Sequence, residues 1–197
     1  MDAILACFQG VAPYLEIGFD HILDINGYDH ILFVVALCAI FRVKEWRRVL
    51  VLVTAFTIGH SFTLALSVLN IFTLDPDLVE TLIPITILIT AVHNLIRGNS
   101  ELTTQQVRIN YALALFFGFI HGMGFSNYLR MLMGQEECIA GPLLTFNVGL
   151  ELGQIIIVAA TMLLSWLIIE VAGLKSKWWN YGVSSIIAFA SLYLILG

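Results

Sequence analysis

Two histidines and two aspartates crowd the stretch HILDINGYDHILF, residues 21–33, with Asn26-Gly27 between them. Further along, His60 stands in TIGHSFTLALS, His121 in FFGFIHGMGFSNYL and Glu151 in TFNVGLELGQ. Imidazole and carboxylate with no thiolate close by suit a borderline divalent cation such as Ni²⁺, Zn²⁺ or Cu²⁺. The candidate metal ligands are therefore Asp29, His30, His60, His121 and Glu151, with His21 a further member of the set. Asn147 and Gln154 share a helical stripe with Glu151, and serve equally well as ligand contacts or as helix–helix hydrogen bonds. Thr86, Thr90 and Arg97 share a face with His93, which reads either as a packing histidine or as part of a polar exit path.

Such groups are costly where this chain places them. Of its 197 residues 59% are hydrophobic and 12% charged, with a mean hydropathy of +0.93. Soluble domains are nearer half apolar and a quarter charged, so the surplus apolar surface faces lipid. The expected fold class is all-α, a polytopic transmembrane bundle forming one domain over residues 1–197. A net charge of −5 and the lack of any basic patch exclude a nucleic-acid partner. Metal ion and membrane lipid are the expected partners; the sequence points to no protein partner. Cys7, Cys38 and Cys138 form no C-x-x-C pair and read as free thiols or packing residues, with a pairing of Cys7 and Cys138 left open. The N-terminal residues lack a basic region ahead of a long apolar run. They are expected to form a short amphipathic segment at the membrane surface rather than a signal peptide.

The elements that must position these groups are six apolar segments, about 28–41, 46–72, 78–96, 109–132, 141–169 and 178–196. Most reach the roughly 20 residues that a helix needs to cross about 30 Å of hydrocarbon. Lipid offers a bare backbone no hydrogen bonds, so helices are required. Basic residues gather in the first, third and fifth connections, as in RVKEWRR; the second, LDPDLVE, is acidic. The positive-inside rule then puts both termini on the periplasmic side of a bacterial inner membrane. Trp46, Trp166, Trp178 and Trp179 fall at the inner interface, where an aromatic belt belongs.

The first span is the odd one. Fourteen residues make about 21 Å of helix, so residues 24–29 must lie at membrane depth. Asn26-Gly27 is a turn signal and breaks the helix there. Irregular backbone at that depth has to be buried in protein or line a wet cavity. A broken or re-entrant N-terminal segment is expected, bounding an internal polar site. His60, His121 and Glu151 count to similar depth, and clustering offsets the roughly 2.5–3.5 kcal/mol that each charged group costs alone in lipid.

Four phrases, GYDHILFVVAL, FTIGHSFTLALS, FGFIHGMGF and FNVGLELGQ, occur in an order and spacing that resemble the HupE/UreJ family of bacterial membrane proteins. The resemblance covers about residues 15–196. It implies a secondary permease for nickel, sometimes cobalt, with a His-x-x-x-x-x-Asp-His motif in the first span linked to metal binding. Here the matching Asp-His is Asp29-His30. The upstream histidine is His21, separated by seven residues rather than five. Two functions remain in view: a transition-metal transporter, or an intramembrane Zn²⁺ or Cu metalloenzyme with Glu151 as general base. A transporter requires a polar route to both faces; an enzyme requires a metal site closed to one of them.

Overall fold

The computed structural model describes residues 7–98, 103–133 and 138–197. Among them the secondary structure is helical throughout, with no strand. Eight helices follow in order: α1 (Ala12–Leu23), α2 (Asp29–Cys38), α3 (Trp46–Val68), α4 (Pro76–Arg97), α5 (Thr104–Gly124), α6 (Ser126–Met133), α7 (Ala140–Trp166) and α8 (Ser176–Leu196).

Local chemistry sets their ends. Pro13 opens α1, in the first turn where a missing N–H costs nothing. α1 stops at Asp24, whose backbone is extended and whose Oδ1 accepts the Asn26 N–H at 2.8 Å. That Asx turn and Gly27 carry the chain into α2. Asp29 then begins α2, where a carboxylate faces the positive end of the helix dipole. Asp75 caps α4 through the N–H groups of Asp77 and Leu78. Thr103 and Gln106 cap α5 reciprocally.

Among the described residues, four helical stretches are long and apolar enough to cross a membrane: 43–68, 76–97, 140–171 and 176–196. A fifth, α5 with α6, passes as a pair bent by 55°. The polytopic helical bundle expected from the sequence is therefore what forms, with the span count refined. The first expected span, 28–41, holds only the ten-residue α2, and the residues before the Asn26-Gly27 break form the separate twelve-residue α1; neither is able to cross alone. The fourth turns sharply at Phe125 instead of running straight to Leu132.

Two helix pairs run parallel in close contact. Along α3 and α5, a Cβ on Gly118 would strike the Phe56 carbonyl, and one on Gly122 the His60 carbonyl. Small residues at i and i+4 let the two backbones approach, the membrane counterpart of ridge-and-groove packing. Along α1 and α7, Gly149 meets the Leu15 carbonyl and Gly153 meets Ile22. The partner numbers rise together, so α1 descends beside the first turns of α7. Tyr14, Gly18 and Ile22 form its buried face. Residues 12–23 form the separate short helix expected before the break, packed along α7; residues 1–6 lie outside the described residues. Trp46, Trp166 and Trp178 are exposed, as a belt requires, whereas Trp179 is buried.

The cysteines correct the free-thiol reading in favour of the pairing left open. Cys7 and Cys138 form a disulfide across 131 residues of sequence, and only Cys38 is free, buried in the core. The parallel pairing of α1 with α7 brings their starts together, and nothing local to either cysteine signals it.

Candidate metal site

Each candidate histidine reaches the site from a different helix. His21 ends α1, His30 begins α2, and His60 and His121 come from the abutting α3 and α5. His21, His30 and His60 can each offer a ring nitrogen such that the three lie within 4.8 Å of one another. The His21 and His30 rings are 4.7 Å apart between centroids, and His121 stands 5.3 Å from His30. His60 and His121 have no exposed surface and His30 is 4% exposed.

Hydrogen bonds fix which nitrogen is available. Asp29 Oδ1 accepts from His30 Nδ1 at 3.0 Å and from its backbone N–H at 2.8 Å. A carboxylate can only accept there, so Nδ1 carries the proton and Nε2 keeps the bare lone pair. That nitrogen is buried with no hydrogen-bond partner. Carboxylate–histidine pairs of this kind orient metal ligands. On the other side, the Thr86 hydroxyl donates to the Ile83 carbonyl at 2.7 Å and meets His121 Nε2 at 2.9 Å. Its one proton is committed, so it accepts from His121 Nε2–H. The bare nitrogen of His121 is then Nδ1, which also lacks a partner. His21 Nε2 and both ring nitrogens of His60 are likewise buried without one.

A buried polar atom left unpaired costs about 1–3 kcal/mol. Three imidazoles from three helices bear that cost around one point, with His121 adjoining His30 outside the group, and their free lone pairs want an acceptor, which a cation supplies. Asp29 stands behind His30 and holds its ring.

Glu151 is placed elsewhere. Its Oε1 accepts the Thr54 hydroxyl proton at 2.6 Å between α3 and α7, and it is absent from the histidine group. Gln154, one turn on, accepts from Thr57 at 2.7 Å and so ties the same two helices. Asn147 is half-buried with its Oδ1 unpaired. The acidic member of the stripe therefore faces Thr54 and not the imidazoles.

The site opens toward one end of the bundle. A cavity of about 250 Å³ is lined by His21, Asp24, Asp29, His30 and His121. On the other side lie three buried rings: Phe33 is 4.9 Å from Phe56 and 6.0 Å from Phe117. Phe33 and Phe56 also flank His121, at 5.1 and 5.2 Å. Beyond them a second cavity of about 80 Å³ is lined by Thr90, His93, Asn94, Asn110 and Phe117. His93 is exposed and belongs to this inner cavity, not to the histidine group. Phe125, at the bend before α6, lies 3.9 Å from the His21 ring.

Sequence reasoning did not find Thr86 as the partner of His121, nor Thr54 as that of Glu151. A threonine one or two turns along an apolar helix carries no sequence mark of the helix opposite.

The family model described as HupE / UreJ protein matches residues 3–196, essentially the whole chain. The chain belongs to the HupE/UreJ family. It is a membrane protein, as its long apolar helices require. Among curated proteins and solved structures, none matches it. The HupE/UreJ phrases GYDHILFVVAL, FTIGHSFTLALS and FGFIHGMGF each carry one of the clustered histidines, whereas FNVGLELGQ carries the Thr54 and Thr57 partners.

Proposed function

We propose that this HupE/UreJ protein is a secondary transporter that carries a divalent transition-metal ion across the bacterial inner membrane, nickel being the ion its family suggests. One observation carries the reading. Unpaired imidazole nitrogens of His21, His30 and His60 converge beside a helix break inside an apolar bundle. Broken helices at mid-membrane are where secondary transporters hold their ions. Neutral imidazole suits Ni²⁺, Cu²⁺ and Zn²⁺ alike, so the donor set supports the ion class and the family supports the choice within it.

In this reading the ion is cargo. It enters through the cavity at His21 and His30 and exchanges water for imidazole nitrogen. Asp29 and Thr86 keep two of the rings in the metal-binding tautomer. Ions must bind well enough to shed water yet weakly enough to leave. Three or four neutral ligands, with the carboxylate held behind His30, meet that requirement better than a fully anionic cage. Release follows past the Phe33, Phe56 and Phe117 rings to the cavity at His93.

The Cys7–Cys138 disulfide supports the orientation. Disulfides persist in oxidising compartments, which favours the periplasm for the starts of α1 and α7. That agrees with the basic residues of the opposite connections.

The test is Ni²⁺ uptake into proteoliposomes, beside isothermal titration of the detergent-solubilised protein. Wild type should bind and move the ion, and His60→Ala should do neither. Tight binding without any flux in wild type would replace transport by a metalloenzyme reading.

A further inference from the structure

Glu151 stands apart from the clustered histidines, at the surface of the bundle. Its Oε1 accepts the Thr54 hydroxyl proton at 2.6 Å in the seam between α3 and α7. Thr54 is exposed and Glu151 half-buried. Their neighbours along the two helices are exposed and apolar: Val51 and Ile58 on α3, and Val148, Leu152 and Ile155 on α7. The two membrane-crossing stretches begin at Val43 and Ala140. Thr54 and Glu151 each lie eleven residues in, about 16 Å by helical rise. The carboxyl therefore borders hydrocarbon, far from water.

No cation holds its charge. On α3, Arg47 lies over Trp46 and Arg48 pairs with Glu45; Lys44, just before α3, is exposed. On α1, Glu16 and Asp20 are exposed, and Asp29 on α2 is held by His30. His21, His30 and His60 cluster with one another. Among the described residues none of these groups pairs with Glu151. A hydroxyl partner serves either form of the acid, since it donates to a carboxylate and accepts from a carboxylic acid. In hydrocarbon the ionised form is the costly one. Thr54 thus lets Glu151 gain and lose a proton while keeping its partner.

The same seam runs to the metal site. Gln154 accepts from Thr57 at 2.7 Å, one turn beyond the Glu151 pair. Thr54 and His60 are six residues apart on α3, about 9 Å along the axis. A divalent ion on neutral imidazoles brings two positive charges into the bundle, and Asp29 balances one. Ionised Glu151 balances the other, across a low-dielectric interior that screens the attraction little. We propose that Glu151 is a proton-binding site in the lipid-facing seam, and that a divalent ion loading onto the histidines expels its proton to water. This rests on the transport reading, whose ion it senses.

The probe is Ni²⁺, titrated into the full chain in detergent. Calorimetry in buffers of different protonation enthalpy counts the protons released. The histidine nitrogens that bind the ion are bare and release none. Wild type should release about one proton per Ni²⁺ at pH 7, and its affinity should rise up to about tenfold from pH 7 to pH 8. Glu151→Gln keeps an oxygen for Thr54 but stays neutral. It should release about none, show affinity nearly independent of pH over that range, and bind several-fold more weakly at pH 8. A second arm needs no variant. Dicyclohexylcarbodiimide enters hydrocarbon and reacts with a neutral carboxyl, whose O–H adds across a C=N bond with no leaving group. Peptide mass should place the adduct on Glu151 at pH 7, and Ni²⁺ should slow its formation in wild type but not in His60→Ala.

No proton release by wild type that binds Ni²⁺ overturns the proposal. Equal release in Glu151→Gln overturns it as well, since the proton would come from elsewhere. So does a Glu151 that the carbodiimide leaves unmodified. Failure of the transport reading looks different: no Ni²⁺ binds to wild type, while the carbodiimide still modifies Glu151.

Discussion

The Thr86 hydroxyl lies 2.9 Å from His121 Nε2 while donating its own proton to the Ile83 carbonyl. α4 thereby dictates the tautomer of a histidine on α5 and bares its Nδ1. Thr86→Val keeps the shape and deletes the acceptor. Metal affinity should fall about 10- to 100-fold, the usual effect of losing a partner behind a ligand. Thr86→Ser should restore it. Isothermal titration with Ni²⁺ reads both; equal affinity in wild type and Thr86→Val would remove the tautomer argument.

His60 lies fully buried with neither ring nitrogen bonded. An apolar residue of similar bulk removes that unsatisfied pair. His60→Leu should therefore abolish Ni²⁺ binding while leaving the metal-free protein as stable or more so, by about 1–2 kcal/mol. Thermal unfolding in detergent with and without Ni²⁺ checks this: wild type should gain stability from the metal and the variant none. A metal-free variant markedly less stable than wild type would mark His60 as a packing residue.

His93 belongs to the inner cavity, beyond the Phe33, Phe56 and Phe117 rings. His93→Ala should preserve Ni²⁺ affinity and lower liposome flux several-fold. A matching loss of binding would place His93 in the binding site.

Gly122 holds α5 against the His60 carbonyl and the Thr63 hydroxyl. Gly122→Ala inserts a methyl group where backbone already lies. It should cost about 1–3 kcal/mol, typical of overpacking, and weaken metal binding by separating His60 from His121. Gly182→Ala, on α8 where a Cβ meets nothing, should do neither. Thermal unfolding of the two variants side by side decides it.

Cys7→Ser removes a cross-link closing 131 residues. A loss of about 2–4 kcal/mol is expected. The same change should appear when wild type is reduced, but not when Cys38→Ser is tested under oxidising conditions. Mobility shift on alkylation before and after reduction should show one disulfide and one buried thiol.

Composition alone decides that this chain lives in lipid, because so little charge over 197 residues cannot cover a soluble surface. Lipid then enforces helices, since backbone groups must be satisfied within each segment. The broken first span was legible as well. Asn26-Gly27 after Asp24 is a local turn signal, and 14 apolar residues are too few to cross. Depth counting brought His30, His60 and His121 to one level, because helical rise is fixed. Depth does not fix azimuth. Glu151 lies on the same stripe as Gln154, yet whether that stripe faces the histidines or Thr54 depends on how α7 is rotated against α3. That rotation is set by Gly149 and Gly153 seating α1, a contact between segments more than 100 residues apart. The same contact joins Cys7 to Cys138 and carries His21 to His30 and His60. Spacing along a chain specifies what one helix presents; which neighbour receives it is decided only when the helices pack.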